Sequence, residues 1–233
     1  MIKIVVFDFD GVLVDSNRIK QNAWHAVFAG FSEQEKEIAR AHYLGVYAST
    51  RRIILENIFK AIGRPESELK NFVEIHSAKY NSITQKRISE LGLVAGAKEL
   101  LEEYSQKFHL YINSSTPKDA LDETIDNLGI RKYFKEIYGR PETKESALEK
   151  IFAREGIDGS ETVFVGDADF DRNAANAYGC FFIGIRNDFN GWTEDEKFVT
   201  VESVREVPKI IEEALRLRSW QPFDKAQGKG DAE

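Results

Sequence analysis

The chain opens with Ile2-Lys3-Ile4-Val5-Val6-Phe7-Asp8-Phe9-Asp10-Gly11, an apolar run that ends in two aspartates. The residues from Ile4 to Phe7 have the length and β-branched composition of a strand buried on both faces, which is typical of a parallel sheet. Side chains two residues apart on a strand share one face, so Asp8 and Asp10 start on the same side. Two such carboxylates repel each other and lose hydration, which requires a bound cation or a shared proton. Since Asp-Gly is also a common turn pair, a solvated turn stays open as the alternative.

Further runs with strand composition recur along the chain and alternate with helical patterns. The predicted strands after the first are 108–113, 136–138, 162–165 and 181–185, and the helical patterns include 97–107, 119–128 and 146–155. Such alternation favours right-handed βαβ units. We therefore predict an α/β fold with a doubly wound parallel sheet, that is, a Rossmann-like core.

One long segment after the first strand breaks this alternation. Residues 16–89 show only helix-period patterns, at 19–28, 33–43, 51–62 and 66–82. We predict that 16–89 is an inserted helical cap domain, that 1–15 and 90–218 form the core, and that Gly92 and Gly96 bracket a hinge. The last residues, 219–233, are polar and aperiodic, which predicts a disordered tail.

Composition and charge narrow the class of protein. The 233 residues are 42% hydrophobic and 30% charged, as in ordinary globular domains, and the net charge of −7 without a basic run argues against nucleic-acid binding. The single cysteine, Cys180, excludes an intrachain disulfide, and its apolar neighbours predict a buried thiol. No signal peptide and no apolar stretch of ~20 residues is visible, so we expect a cytoplasmic protein without membrane contact.

A second acidic cluster, Asp167, Asp169 and Asp171, follows the predicted strand at 162–165. Because ligands of open α/β sheets bind beyond the carboxyl ends of the strands, these acids and the first pair predict one oxygen-rich pocket. Mg²⁺ favours such oxygen ligands, whereas zinc favours the His and Cys clusters that are missing here. Asp171 by itself fits equally well a helix-capping acid.

Two further strand ends carry polar residues suited to phosphate. Ser114-Ser115-Thr116 offers hydroxyls and backbone N–H groups before a helix, although such turns also cap helices for structural reasons. Thr116 and Pro117 predict a helix start, with Thr116 as the cap and Pro117 at the first helical position. Lys144 lies in a first helical turn, where the macrodipole opposes a cation, so it needs a local partner unless it extends into solvent.

Four of these pieces, in this order, resemble the motifs of the haloacid dehalogenase superfamily. They are Phe-Asp-Phe-Asp-Gly-Val-Leu-Val-Asp-Ser from Phe7, Ile-Asn-Ser-Ser from Ile112, Thr143-Lys144, and Gly166-Asp167 with Asp171 four residues on. The resemblance extends from residue 1 to about 215, and four motifs in order are far more specific than one. The inserted segment looks like the helical cap of the subgroup that contains phosphoglycolate phosphatases and β-phosphoglucomutases.

The resemblance implies a Mg²⁺-dependent phosphatase that hydrolyses a small phosphorylated metabolite, such as a sugar or polyol phosphate, through an aspartyl-phosphate. Asp8 would be the nucleophile and Asp10 the general acid/base. Ser114 would hold the transferring phosphoryl group, and Lys144 would stabilise it and orient Asp8. The implied metal residues are Asp8, Asp10, Asp167 and Asp171, while Asp169 has no fixed role in the pattern.

Substrate-binding candidates lie beside Ser114 and in the cap. They are Ser115, Lys20, Arg51 and Arg52; the two arginines follow a turn at 45–50 that resembles the cap loop facing the active site in this subgroup. A solvated helix start explains the arginines equally well. We expect a small-molecule substrate, and the sequence leaves the oligomeric state open.

Other functions stay open as alternatives. A phosphosugar mutase like β-phosphoglucomutase would carry a histidine that gates Asp10 where this chain has Lys20, which favours hydrolysis. Phosphonate hydrolysis would need a Schiff-base lysine in the cap, for which Lys20 is a remote candidate, and true dehalogenases lack an acid at the Asp10 position. A non-catalytic phospholigand-binding protein is the alternative of another class, since fold alone never proves activity; the complete set of acids and lysine argues against it.

Overall fold

The computed structural model describes residues 1–44 and 50–217. Residues 45–49 of the predicted turn at 45–50, and the predicted tail at 219–233, therefore lie outside the described residues. The chain divides into two compact units, one formed by Met1–Asp15 with Leu91–Glu233 and the other by Ser16–Glu90. No helix among the described residues is long and apolar enough to cross a membrane.

Four helices make up the second unit, which is all helical in its described part: α1 (Asn17–Val27), α2 (Glu33–Tyr43), α3 (Arg51–Ala61) and α4 (Glu66–Leu91). Its core is aromatic, and the Trp24 ring stacks on Tyr43 with 5.4 Å between ring centroids. Helix α4 runs well past residue 82, where the sequence pattern predicted its end. The reason is that Thr84 and Ile88 continue the buried face of Tyr80 at a spacing of four residues.

In the part of the chain that the structure describes, six parallel strands form one sheet in the order β3-β2-β1-β4-β5-β6. The strands are β1 (Ile4–Phe7), β2 (His109–Pro117), β3 (Glu136–Arg140), β4 (Thr162–Gly166), β5 (Phe181–Ile185) and β6 (Val199–Val201). All four residues of β1 are buried because it pairs with β2 on one side and β4 on the other. The predicted α/β, Rossmann-like fold is confirmed. The strand order reverses beside β1, which is where sheets of this kind bind ligands.

The helices between these strands are α5 (Ala97–Tyr104), α6 (Lys118–Asn127), α7 (Lys144–Glu155) and α8 (Asp169–Ala177), and α9 (Val207–Leu217) follows β6. Leu148 and Ile151 of α7 and Ala174 and Ala175 of α8 pack in the cluster that contains Phe164 of β4. Cys180 lies in the same cluster as a buried free thiol, as predicted. The apolar faces of α7 and α8 thereby fix the first turn of each helix at the same edge of the sheet.

Candidate active site

The carboxyl ends of β1, β2 and β4 lie side by side. Phe7, the last residue of β1, is level with Ile112 of β2 and Val165 of β4. Asp8 follows at once, and its backbone N–H donates to the Val165 carbonyl at 2.8 Å. This register gathers the side chains that follow the three strands at one edge of the sheet.

Lys144, the first residue of α7, lies between two carboxylates at this edge. Its Nζ is 2.6 Å from Oδ1 of Asp8 and 2.7 Å from Oδ1 of Asp171. The ammonium also donates to the Asn113 carbonyl, and the Asn113 side chain donates back to the Lys144 carbonyl at 2.9 Å. The three charged side chains are 5%, 6% and 0% exposed, for Lys144, Asp8 and Asp171. These contacts supply the local partner that a lysine needs at a helix N-terminus.

Burial controls the charge state of this triad. Burial raises the pKa of Asp8 to about 7, although the neighbouring Lys144 ammonium opposes the shift. Burial also raises the pKa of Asp171, again against the attraction of Lys144. For Lys144 burial opposes the charge, but the two carboxylates outweigh it and raise the pKa of the ammonium. The single positive charge of Lys144 therefore cannot neutralise both carboxylates when Asp8 and Asp171 are ionised.

Asp167 completes an acidic group that fits a divalent cation. Asp8, Asp167 and Asp171 are all buried, and each offers a carboxylate oxygen within 4.8 Å of the others. Several carboxylate oxygens around one point, without His or Cys in the group, are the ligand set of a hard cation such as Mg²⁺. Asp10, which we predicted as a fourth metal residue, is not in this group.

The Asp10 carboxylate is held by Thr116, whose Oγ1 donates to Oδ2 at 2.6 Å. The prediction that Thr116 caps a helix is wrong, and so is the position of Pro117 in the first turn. Strand β2 continues to Pro117 after a register shift, Pro117 has the non-helical angles φ −52° and ψ 137°, and α6 begins only at Lys118. Because Thr116 still belongs to the strand, its hydroxyl contacts Asp10 and does not cap α6.

Ser114 and Ser115 differ in their environment. The Ser114 side chain is buried, and its Oγ accepts the backbone N–H of Thr116 at 3.1 Å. Ser115 is half-buried and lies at the same strand end. The roles of both hydroxyls toward a phosphoryl group stay predictions.

Asp171 can approach Lys144 because residue 166, the last of β4, is glycine. A Cβ at Gly166 would lie 2.5 Å from the Cβ and 2.8 Å from the Oδ2 of Asp171, closer than such atoms come. The Asp171 Oδ2 also accepts the backbone N–H of Ala168 at 3.1 Å. Asp171 therefore caps the start of α8, as the sequence allowed, and also contacts Lys144.

Two asparagines after β5 contact Asp167, and sequence reasoning missed them. Asn187 Nδ2 donates to the Asp167 carboxylate Oδ2 at 2.8 Å, and Asn190 Nδ2 donates to the Asp167 carbonyl at 3.0 Å. The signal that would have found them is their position just beyond the carboxyl end of a parallel strand, where the other site residues also lie.

The three cap candidates lie in the helical unit, each in a different setting. The Arg51 guanidinium stacks over the Tyr80 ring, 4.2 Å from its centroid, and donates to the Asn81 side chain. Lys20 is half-buried and its carbonyl accepts the Tyr80 hydroxyl at 3.1 Å, whereas Arg52 is exposed. Their contribution to substrate binding stays a prediction.

Comparisons with known proteins agree with this site. The family described as haloacid dehalogenase-like hydrolase matches residues 5–185. A phosphoglycolate phosphatase of Vibrio parahaemolyticus is 29% identical over 202 residues, which are 81% of this chain and 86% of that protein.

Solved structures show the same fold. A haloacid dehalogenase-like hydrolase of Streptococcus pneumoniae aligns with a TM-score of 0.65 and 24% identity, covering 90% of this chain and 98% of that one. β-Phosphoglucomutase of Clostridium difficile aligns with a TM-score of 0.67 and 20% identity, covering 94% and 99%. At these identities the likeness shows the fold alone.

Proposed function

The chain belongs to the haloacid dehalogenase-like hydrolase family and is an enzyme, and we propose that it is a Mg²⁺-dependent phosphatase that works through an aspartyl-phosphate. The observation that carries the proposal is the buried triad in which Lys144 Nζ lies 2.6 Å from Asp8 and 2.7 Å from Asp171. In this position Lys144 can hold the Asp8 carboxylate in place. Its ammonium can also stabilise the negative charge of a phosphoryl group at the same edge of the sheet.

Asp8 is the proposed nucleophile. Its Oδ1 is fixed by Lys144, and its position directly after β1 places it at the centre of the sheet edge. Attack by the carboxylate on phosphorus breaks the bond to the leaving oxygen and gives the aspartyl-phosphate. Because the pKa of Asp8 is raised to about 7 by burial, the carboxylate relies on neighbouring positive charge to stay ionised.

Asp10 is the proposed general acid/base. It donates a proton to the leaving alkoxide in the first step and takes one from the attacking water in the second. The hydrogen bond from Thr116 Oγ1 at 2.6 Å fixes the Asp10 carboxylate. This hydrogen bond holds Oδ2 and so restricts the rotation of the Asp10 carboxylate.

Asp8, Asp167 and Asp171 are the side chains that would hold the metal. Mg²⁺, when bound, would supply positive charge beside the phosphoryl oxygens, which is the main catalytic need in phosphoryl transfer. Asp10 was also predicted as a metal residue, which stays a prediction; its side chain accepts a hydrogen bond from Thr116. Among this chain's own groups, Lys144 brings positive charge and Ser114 a hydroxyl to the same edge.

The proposed substrate class is a small phosphate monoester, with phosphoglycolate as the first compound to assay. Phosphoglycolate comes first because the Vibrio parahaemolyticus relative, which is 29% identical, is named a phosphoglycolate phosphatase. A panel of phosphoglycolate, sugar phosphates, polyol phosphates and nucleoside monophosphates with Mg²⁺ tests the proposal. Release of inorganic phosphate from at least one of them is expected, and no release from any would contradict a phosphatase.

Removal of divalent cations with EDTA is expected to abolish activity, and excess Mg²⁺ should restore it. Asp167→Ala should raise the Mg²⁺ concentration needed for half-maximal activity by at least about 10- to 100-fold, the effect of losing even an outer-sphere partner. Asp171→Ala should raise it less, because the negative charge of Asp171 is already paired with the Lys144 ammonium. Steady-state rates against Mg²⁺ concentration give both values. Full activity in EDTA would contradict the metal dependence.

Thr116→Val is expected to slow turnover of alkyl phosphates about tenfold, a part of what general acid/base catalysis contributes. The hydroxyl that holds Asp10 is lost while the side-chain volume is kept. p-Nitrophenyl phosphate should be affected less, since its leaving group needs no proton. Thr116→Ser, which keeps the hydroxyl, should behave like the unaltered enzyme, and equal losses in the Val and Ser variants would argue against this role.

A further inference from the structure

The side-chain amide of Asn187 has its orientation fixed by its own loop. Its Oδ1 accepts the backbone N–H groups of Phe189 at 2.8 Å and Asn190 at 3.2 Å. Because both of these groups are donors, the atom that faces them is the amide oxygen. The Nδ2 group is thereby directed to the Asp167 carboxylate, whose Oδ2 lies 2.8 Å away.

Asn190 holds the same loop and the main chain of Asp167. Its Nδ2 donates to the carbonyls of Asp167 at 3.0 Å and Ile185 at 2.8 Å. Its Oδ1 accepts the backbone N–H groups of Asn187 at 3.3 Å and Trp192 at 3.1 Å. The Asn190 amide therefore links the end of β5, the loop and the residue after β4.

The loop is anchored to the sheet by packing. The Trp192 ring lies edge-on to Phe182 of β5 and to Phe198, with centroid distances of 6.0 and 5.1 Å. Gly184 leaves the space for these rings, because a Cβ there would lie 2.9 Å from both Trp192 and Phe198. Asn187 therefore extends from a loop that is packed against the sheet.

We infer that Asn187 is a positioning residue that sets the carboxylate plane of Asp167 for cation binding. The inference rests on the proposed function. Two backbone N–H groups hold the Asn187 amide oxygen, so the Nδ2 group is aimed at the Asp167 carboxylate and restricts its rotation. Outer-sphere partners of metal ligands act in this way, and their loss weakens metal binding.

The test is direct binding of Mn²⁺, measured by electron paramagnetic resonance of the free ion, so that it needs no substrate and no turnover. Asn187→Ala should weaken Mn²⁺ binding roughly 10- to 100-fold. It should also raise the Mg²⁺ concentration for half-maximal activity by a similar factor, while kcat at saturating Mg²⁺ stays close to the original value. This separates a lost orientation of Asp167 from a damaged active site.

Two control variants separate this role from loop stability and from asparagine removal in general. Gly191→Ala strains the same loop, because Gly191 has φ 66°, but leaves the Asn187 side chain in place. It should lower the melting temperature and leave Mn²⁺ binding within about twofold, well below the loss for an outer-sphere partner. Asn173→Ala makes the same chemical change at an exposed position of α8 and should alter neither.

If Asn187→Ala fails to fold, Asn187→Ser takes its place. A serine hydroxyl still accepts loop N–H groups but is too short to reach Asp167, so the same loss of Mn²⁺ affinity is expected. Unchanged Mn²⁺ binding in the Asn187 variant, or an equal loss in Gly191→Ala, would overturn this inference alone. Absence of Mn²⁺ binding by the unaltered protein would overturn it together with the proposed metal dependence.

Discussion

Replacing Asp8 with asparagine is expected to lower kcat by at least about 10⁴-fold, in the range seen when a catalytic nucleophile is removed. The amide has nearly the same shape as the carboxylate but does not accept a phosphoryl group. Folding should survive, because a neutral amide costs less to bury than a carboxylate and no longer repels Asp171. Steady-state assays and a thermal melt together measure the two effects.

Asp169→Asn provides the matched control for this prediction. Asp169 is in the same acidic segment as Asp167 and Asp171, but its side chain is 68% exposed and pairs with Arg172 at 3.0 Å. The same chemical change there should leave turnover within about a factor of two, since exposed ion pairs are worth little. Retained turnover in Asp8→Asn would disprove the nucleophile assignment.

The second large effect is expected from Lys144→Met, which keeps the length of the side chain and removes its charge. Two buried carboxylates would lose their common partner, so the free energy of unfolding should fall by about 3–5 kcal/mol, as when one member of a buried ion pair is removed. Activity should fall by roughly 10²–10³-fold, the effect of removing one donor that faces developing negative charge. Both measurements should be made with and without Mg²⁺.

Lys150→Met, on the same helix, is the control for Lys144→Met. Lys150 pairs with Glu142, but its side chain is 52% exposed, so the loss of this pair should change stability by less than about 1 kcal/mol. A melting temperature of Lys144→Met equal to that of Lys150→Met would show that the buried pair does not stabilise the fold. An unchanged rate would remove Lys144 from the mechanism.

The sequence predicted those parts of the site that depend on strand ends. The apolar residues 4–7 and 162–165 identify strands buried on both faces, and the acids directly after them come together because the strands are parallel neighbours. The sequence also predicted that Lys144 needs a local partner, since a lysine at a helix N-terminus opposes the macrodipole. Its geometry, with Asp8 and Asp171 on either side, depends on how α7 and α8 pack on the sheet, which local pattern does not encode.

The parts that sequence reasoning missed depend on contacts between distant segments. Thr116 carries the pattern of a helix cap, but it lies in β2 beyond a register shift, and its hydroxyl contacts Asp10, 106 residues away in the chain. Asn187 follows a strand but has no acid or glycine motif around it, so its contact with Asp167 is visible only in the folded loop. Strand β6 was also missed, because its three residues are too few for a periodic pattern.

The most direct test of the covalent mechanism is to trap the phosphorylated enzyme. Asp10→Asn should still attack p-nitrophenyl phosphate, whose leaving group needs no acid, but should hydrolyse the intermediate slowly because water lacks its base. Rapid acid quench in the presence of Mg²⁺, followed by mass spectrometry of peptides, should find one phosphoryl group on the peptide that contains Asp8. Release of p-nitrophenol with no phosphorylated peptide, or with the phosphoryl group on another residue, would contradict an aspartyl-phosphate at Asp8.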